Sequence, residues 1–293
     1  MRIEPIASLE DPRLEPYRSL RTTNLTRFSG RFIAESRPLV QRLLASGLEV
    51  ESILVDQDDL EQAQPWLPSE VPILVVPHDA IAELIGFDFH RGFLACGKRP
   101  PMPTWDPATA WDPATAWDPA TAWDPAIAGP QGCLDPNWTG VMLVGVQDPE
   151  NMGSIFRSCA ALGIRQIVLG PNCVDPFARR VLRVSMGNAF KLSFFSVPEV
   201  IPGGIPQMLQ SAERMGIESL AACLSPTSVE LRQYRRRGPV LVLFGNEANG
   251  LPDELIDACS KGIRIEMSLQ TDSLNVSVAA GILLHYTCRM AAS

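Results

Sequence analysis

The sequence contains little histidine and no paired cysteine motif, and these absences narrow the chemistry that the protein can perform. Only 3 of its 293 residues are histidine, so a histidine-based metal site or catalytic triad is not expected, and we predict no bound metal. The 7 cysteines are scattered and form no C-x-x-C pair, which argues against a disulfide framework or a zinc site. This distribution predicts a protein of the reducing cytoplasm.

Long hydrophobic runs are also missing from the sequence. The longest of them, such as 141–146 and 240–244, are far too short to span a bilayer. The N-terminus has no apolar segment of the kind that forms a signal peptide, and no membrane partner is expected. With 46% hydrophobic residues, the chain has the composition of a globular protein and is long enough to form two domains.

The net charge of −8 argues by itself against a polyanionic partner, but the arginines are unevenly distributed. Clusters occur in residues 13–42, at 179–183 and at 232–237. Local basic clusters on an acidic protein are compatible with a phosphate-bearing partner that binds at a defined place. For each cluster taken singly, a solvated helix face is the favoured interpretation.

Strands and helices alternate in residues 1–97, which predicts a small N-terminal α/β domain. The composition then changes: the hexad WDPATA begins at 105, 111 and 117, and a variant, WDPAIA, begins at 123. A period of six residues with a proline in every unit cannot continue a helix or a central strand. We therefore interpret 98–137 as an extended, largely disordered low-complexity linker, with a docking motif formed by its tryptophans as the alternative.

Residues 138–293 return to alternating elements and form the second predicted domain. Their apolar runs have the continuous hydrophobicity of strands buried on both faces, which predicts an α/β fold with a mainly parallel sheet. The predicted strands are 141–146, 166–169, 219–223, 240–244 and 262–265. The predicted helices lie near 153–162, 176–183, 205–215, 253–259 and 276–291.

Three loops of this second domain follow predicted strands: 147–153, 245–250 and the segment before Asn275. Ligands of open parallel sheets bind outside the carboxyl ends of the strands, so these loops are candidates for one site. Taken singly, they have simpler interpretations: a turn with Asn151 as helix cap, a tight turn, and a second helix cap. Neither a P-loop nor a G-x-G-x-x-G pattern occurs in this domain, so ordinary ATP and NAD sites lack their signatures.

Together the three loops resemble the three sequence motifs of the SpoU/TrmH branch of the SPOUT RNA methyltransferases, in the same order, over about 139–292. The first motif, Asp-Pro-x-Asn-x-Gly-x-x-x-Arg, corresponds to 148–157. The second, Gly-x-Glu-x-x-Gly-Leu, corresponds to 245–251, and the third, Ser-Leu-Asn-Val-Ser, to 273–277. Residues 183–187 look like the family's intermediate Arg-x-Ser-x-Gly segment, and the N-terminal domain resembles the substrate-binding domain of these enzymes.

The resemblance implies an S-adenosylmethionine-dependent enzyme that methylates the ribose 2′-hydroxyl of a structured RNA. It also implies a trefoil-knotted C-terminal domain and a homodimer, and the N-terminal domain favours large-subunit ribosomal RNA over tRNA. The alternatives are a tRNA ribose methyltransferase and an RNA-binding or ribosome assembly factor that has lost catalysis. Intact motif residues argue against the second of these alternatives.

Residue roles also follow from the resemblance. The expected catalytic residues are Arg157, Asn151, Glu247, Ser273 and Asn275. The expected cofactor-binding residues are Gly245, Glu247, Gly250, Ile265, Leu274 and Asn275. Because a guanidinium hardly deprotonates, we assign Arg157 to binding an RNA phosphate and polarising the hydroxyl. Glu266 stands where the family often has proline, so the shape of this cofactor loop is expected to differ.

Overall fold

The computed structural model describes residues 2–20, 29–86, 92–107, 135–197, 203–268 and 273–289. Contacts divide the chain into two compact units: Met1–Pro100 with Asp175–Phe190, and Pro101–Val174 with Lys191–Ser293. The predicted domain limits, 1–97 and 138–293, remain a prediction. The division by contacts also places Asp175–Phe190 with the first unit. Within the described ranges, none of the helices is long and apolar enough to cross a membrane.

The regular elements of the described residues are numbered in chain order. The strands are β1 (Arg2–Pro5), β2 (Arg31–Glu35), β3 (Val50–Asp56), β4 (Pro72–Val76), β5 (Phe93–Lys98), β6 (Thr139–Leu143), β7 (Gln166–Leu169), β8 (Ser193–Ser196), β9 (Glu218–Ala222), β10 (Val229–Glu230), β11 (Val240–Phe244) and β12 (Lys261–Arg264). The α-helices are α1 (Arg37–Leu44), α2 (Leu60–Ala63), α3 (His78–Ile85), α4 (Pro149–Ala161), α5 (Arg179–Val184), α6 (Gly204–Arg214), α7 (Asp253–Ala258) and α8 (Val276–Arg289).

The first unit is built on a mixed sheet in which the strand order is β1, β4, β3, β5, β2. Strands β1, β4 and β3 run parallel, whereas β5 is antiparallel to both β3 and β2. Helix α5, which comes from the second half of the chain, packs on β2. The rings of Phe177 and Phe190, on either side of α5, lie 5.1 and 5.7 Å from that of Phe32, and Arg179 donates to Glu35 at 2.8 Å. These aromatic and ionic contacts explain why α5 belongs to the first unit.

The N-terminal arginine cluster is largely occupied by contacts within the first unit. Arg31 donates to Glu51 at 2.6 Å, and the side chain of Arg13 donates to the carboxylates of Glu4 and Asp11. These arginines are therefore paired with neighbouring carboxylates rather than forming a uniform basic surface. Two further members of the cluster, at 21 and 27, lie outside the described residues.

The second unit contains a sheet in the order β10, β12, β9, β11, β6, β7, β8, and each neighbouring pair is parallel. The central strands β6 and β11 are buried along their whole length, which explains their continuous apolar sequence. The predicted α/β fold with a mainly parallel sheet is confirmed. Strands β8 and β10 were not predicted, because stretches of four and two residues carry too little pattern. The trefoil knot remains a prediction.

The start of the predicted linker, residues 98–107, is ordered, while the expectation that 98–137 as a whole is largely disordered remains a prediction. Strand β5 continues to Lys98, and Pro103–Trp105 lies along β8. The Trp105 side chain is only 2% exposed and belongs to the apolar core of the second unit. Burial of a large indole ring offsets the cost of ordering the proline-rich backbone around it. The hexads that begin at 111, 117 and 123 lie in 108–134, outside the described residues.

Candidate active site

A cavity of about 690 Å³ lies in the second unit where strands β9, β11 and β12 end. The last residues of these strands, Ala222, Phe244 and Arg264, are part of its lining. Such a position at the carboxyl edge of a parallel sheet is typical of a ligand site. Every predicted site residue except Arg157 lines the cavity. These residues are Asn151, Gly245, Glu247, Gly250, Ile265, Ser273, Leu274 and Asn275.

The loop from Gly245 to Gly250 forms one wall of the cavity as a tight turn. Asn246 and Gly250 exchange two backbone hydrogen bonds, at 3.0 and 2.9 Å. The side-chain oxygen of Asn246 accepts from the amides of Ala248 and Asn249, at 2.9 and 3.1 Å. A Cβ atom on Gly245 would lie 2.2 Å from the carbonyl carbon of Gly250, so this close approach of two backbone segments requires glycine.

The carboxylate of Glu247 reaches from this loop to the start of α4. It accepts hydrogen bonds from the backbone amides of Gln147 and Asp148, at 3.4 and 3.1 Å, and from Asn151 Nδ2 at 3.2 Å. Burial opposes ionisation of this group, but the hydrogen bonds together outweigh burial, so the pKa of Glu247 is lowered from its ordinary value. The ionised side chain therefore joins the second motif to the first.

Asn151 extends this connection to the third motif. The side chain of Asn275 donates through Nδ2 to Asn151 Oδ1 at 2.8 Å, and Asn151 itself is only 6% exposed. Asn275 Oδ1 accepts from the amides of Ser277 and Val278, at 2.9 and 3.3 Å, and so caps helix α8 as predicted. Because an ionised carboxylate can only accept, the orientation of both amides follows from Glu247. The three motifs thus form one hydrogen-bonded chain.

Asp148, and not Asn151, caps helix α4, so that part of the sequence interpretation was wrong. The side chain of Asp148 accepts from the amide of Glu150 at 2.8 Å, and the helix begins at Pro149. Proline is favoured at this first helical position because it has no amide that needs a partner. Asn151 consequently lies inside the helix, where both atoms of its side-chain amide are available for contacts with the other two motifs.

Arg157 lies further along α4, on the exposed side of the helix and outside the cavity lining. Within the described part of the chain it has no hydrogen bond and no ion pair. Helix α4 packs against α8, the helix that Asn275 caps. The guanidinium of Arg157 is therefore carried by an element of the site but faces solvent.

Two parts of the site were missed from the sequence. Asn246 Nδ2 donates to the carbonyl oxygen of Gly145 at 2.8 Å and so ties the loop after β11 to the loop after β6. Residues 223–226 also line the cavity. Their position directly after β9 was the available signal, since neighbouring parallel strands end at the same edge of the sheet.

The basic cluster at 232–237 is partly structural. Arg236 is only 1% exposed and donates to the carbonyl oxygens of Pro136, Gly238 and Thr287, at 3.2, 2.8 and 3.1 Å. Burial lowers the pKa of this guanidinium, which nevertheless stays charged at neutral pH. Arg236 therefore joins the start of β6 to the end of α8 and is not available to a phosphate group.

Comparisons with known proteins agree with this arrangement. The model of the SpoU rRNA Methylase family matches residues 139–285. An uncharacterized tRNA/rRNA methyltransferase of Mycobacterium tuberculosis is 30% identical over 98% of this chain and 92% of its own length. The 23S rRNA (guanosine-2′-O-)-methyltransferase RlmB of Acinetobacter baylyi is 24% identical over 80% of this chain and 83% of its own.

The fold is also that of a solved structure. The AdoMet-bound rRNA methyltransferase from Sinorhizobium meliloti superposes with a TM-score of 0.74, over 98% of both chains, at 23% identity. This likeness shows a common fold across both halves of the chain. The resemblance inferred from the three motifs is thus confirmed by the family match, the similar length of the mycobacterial relative and the shared fold. The chain belongs to the SpoU rRNA methylase family of RNA methyltransferases.

Proposed function

We propose that this protein transfers a methyl group from S-adenosylmethionine to a ribose 2′-hydroxyl of ribosomal RNA, with large-subunit RNA as the favoured substrate. The observation that carries the proposal is the chain of hydrogen bonds from Glu247 through Asn151 to Asn275 beside the cavity. It joins all three family motifs in one place. The 23S rRNA methyltransferase of Acinetobacter baylyi supports the choice of ribose and of large-subunit RNA.

The cavity suits this cofactor in size and in chemistry. Its volume of about 690 Å³ is in the usual range for small-molecule sites. Ile265 and Leu274 supply apolar surface for a flat ring, while Gly245 and Gly250 carry no side chains that would keep a ligand from the backbone of their loop. These residues would hold the cofactor, which when bound supplies an electrophilic methyl group on a sulfonium sulfur.

The side chains around the cavity orient the acceptor. Methyl transfer is an in-line displacement, so the protein has to align a hydroxyl oxygen and assist the loss of its proton. Arg157, exposed on α4, binds an RNA phosphate and polarises the hydroxyl, because a guanidinium is a permanent cation and a poor base. Asn151 lies beside the RNA, held by Glu247 and Asn275. Ser273 completes the polar group at the cavity.

The proposal includes a homodimer in which α8 contributes to the interface. Leu274, Val278 and Ile282 are 37, 50 and 41% exposed and recur at intervals of four residues, so they share one face of the chain at α8. A second copy would remove this apolar face from water. Sedimentation equilibrium tests it: Val278→Glu should yield monomers, whereas Met215→Glu, a charge added at another exposed apolar residue, should not.

A cytoplasmic location is also part of the proposal. All six cysteines in the described ranges are free thiols, as expected in a reducing compartment. Fractionation of cells that express the tagged protein tests this point, and recovery in an extracellular fraction would contradict it.

The experiment that tests the function is a map of 2′-O-methyl sites in total RNA from cells with and without the protein. The expected result is one lost site in large-subunit ribosomal RNA. A lost site in tRNA would assign the alternative substrate. No lost site, together with no heat of S-adenosylmethionine binding in calorimetry, would instead favour an RNA-binding factor without catalysis.

A further inference from the structure

The hexad repeats have no place in the proposed function, yet the first of them is part of the folded second unit. Trp105 N donates to the carbonyl oxygen of Ser196, and Ser196 N donates to the carbonyl oxygen of Pro103, both at 2.9 Å. These two bonds form a parallel bridge that extends the sheet beyond β8, the last strand in its order. The segment is thus bound along a sheet edge by backbone groups.

The side chains that hold this segment are those that the repeats share. Trp105 is 2% exposed in the apolar core that includes Val168 and Phe195, and Pro107 is also buried, whereas the intervening Asp106 is exposed. Among the described residues, the indole nitrogen of Trp105 has no hydrogen-bond partner. Shape and apolar surface therefore retain the ring, and these properties are the same for every Trp-Asp-Pro unit in the chain.

The residues before each tryptophan differ, but the site does not depend on their side chains. Pro103 and Thr104 precede Trp105, while Thr109 and Ala110 precede Trp111. The bridge uses only a carbonyl oxygen two residues before the tryptophan and the amide of the tryptophan itself. Both groups are present before each of the four copies, so backbone pairing does not favour the first.

We propose that the edge of β8 is a binding site for a Trp-Asp-Pro segment and that the copies at Trp111, Trp117 and Trp123 compete with Trp105 for it within one chain. When the next repeat tryptophan replaces Trp105 at the edge of β8, the bound residue lies six positions further along the chain. The connection from Lys98 to the bound residue is longer by the same six residues. Replacement of Trp105 by Trp111 about doubles the length of this connection. The longer loop is about threefold less probable to close, and this effect is small enough for the two copies to exchange. The length of chain between β5 and the anchor is therefore variable.

A series of full-length variants tests the exchange. Each keeps one of the four repeat tryptophans and has alanine at the other three, and a last variant has alanine at all four. The Tm is measured by circular dichroism. The variant that keeps only Trp111 should melt within about 2 °C of the one that keeps only Trp105, and the variant without any should melt roughly 6–12 °C lower. Trp105→Ala alone should change little.

Trp138→Ala is the matched control, because Trp138 packs against the same core but has no second copy in the chain. It should lower the Tm by itself. Two results would overturn the proposal. One is that the Trp111-only variant melts no higher than the variant without any repeat tryptophan, or fails to fold. The other is that its Tm rises more steeply with protein concentration than the Tm of the Trp105-only variant, which would mean that the segment comes from a second molecule.

Discussion

Charged groups are used differently in the first unit and at the cavity of the second. In the first unit, arginines are matched with carboxylates, as in Arg99 with Asp175 at 2.6 Å and Arg179 with Glu35 at 2.8 Å. At the cavity, the charge of Glu247 is instead held by backbone and asparagine N–H groups among the described residues. Neutral donors fix a carboxylate in place and leave the net negative charge at the site.

The arginines of the two regions show the same difference. Arg179 is three-quarters buried at its side chain and bonded to a carboxylate that is itself 8% exposed, whereas Arg157 faces solvent without a partner in the described part of the chain. A paired, buried charge contributes to folding, and an exposed single charge contributes little to it. The contrast shows that the contribution of an arginine to folding follows from its burial and its partners, and not from its residue type.

The largest effect is expected for Arg157→Ala. If this residue handles the RNA, methyl transfer should fall by about 100-fold or more, because an electrostatic contact to the acceptor is lost. The affinity for S-adenosylmethionine and the Tm should not change. Transfer of a labelled methyl group to RNA, calorimetry with the cofactor and thermal unfolding measure the three quantities.

Arg214→Ala, an exposed arginine on α6, is the control for this variant. It should keep normal turnover. Near-normal turnover of Arg157→Ala would show that the assignment of this arginine is wrong. The proposed difference in role between Arg157 and Arg179 would then no longer hold.

Arg179→Ala should have the next largest effect, on stability alone. It leaves the carboxylate of Glu35 buried without its main partner, so the free energy of unfolding should fall by about 2–4 kcal/mol. Denaturant unfolding measures this loss, and adding Glu35→Gln should recover part of it. Arg2→Ala disrupts a pair whose arginine is 69% exposed and should lose well under 1 kcal/mol. Equal losses in the two variants would contradict the structural role of Arg179.

Glu247→Gln should destabilise the second unit by about 0.5–1 kcal/mol at neutral pH, because an amide can accept fewer of the N–H groups that face it, while solvent weakens the interactions of this exposed side chain. The pKa of Glu247 is lowered by folding. Its contribution to the free energy of unfolding is therefore present at pH values above the ordinary carboxylate pKa and is lost as the pH falls through the lowered pKa. Unfolding at neutral and acidic pH should therefore show a difference between wild type and variant that shrinks in acid. Glu254→Gln, on the exposed start of α7, should show none.

The smallest effect concerns a titrating pair of the first unit. His78 Nδ1 donates to Asp56 at 2.5 Å, and this hydrogen bond raises the pKa of His78 from its ordinary value. Because the pKa of His78 is higher in the folded state, the pair contributes fully to the free energy of unfolding below about pH 6.5. This contribution is lost as the pH rises through the raised pKa. His78→Gln should therefore be less stable than wild type in mild acid and equal to it at high pH, by denaturant unfolding.

His285→Gln, in the second unit, is the control and should leave this pH dependence unchanged. If the difference between wild type and His78→Gln persisted at high pH, the pair would be stabilising through packing rather than through charge.

Much of the fold and of the site could be predicted from local sequence. Buried parallel strands such as β6 and β11 have continuous apolar sequences, and the turn at Gly245 requires glycine because of a contact within its own loop. Helix caps are equally local, although the assignment of this cap to Asn151 was wrong, since Asp148 is an equally good capping residue. What failed was the assignment of residues whose partners are distant, such as Trp105 and Arg236.

The sequence by itself determined the buried central strands and the glycine turn of this protein, because those depend on neighbours along the chain. Only the tertiary structure decided which loops meet. Asn151 contacts Glu247 and Asn275, which lie 96 and 124 positions away, and no local pattern encodes such a distance. The parallel sheet brings them together, since it places the carboxyl ends of separate strands at one edge. For the arginines, too, the tertiary partners and not the residue type separate Arg179, which is paired and largely buried, from Arg157, which is exposed.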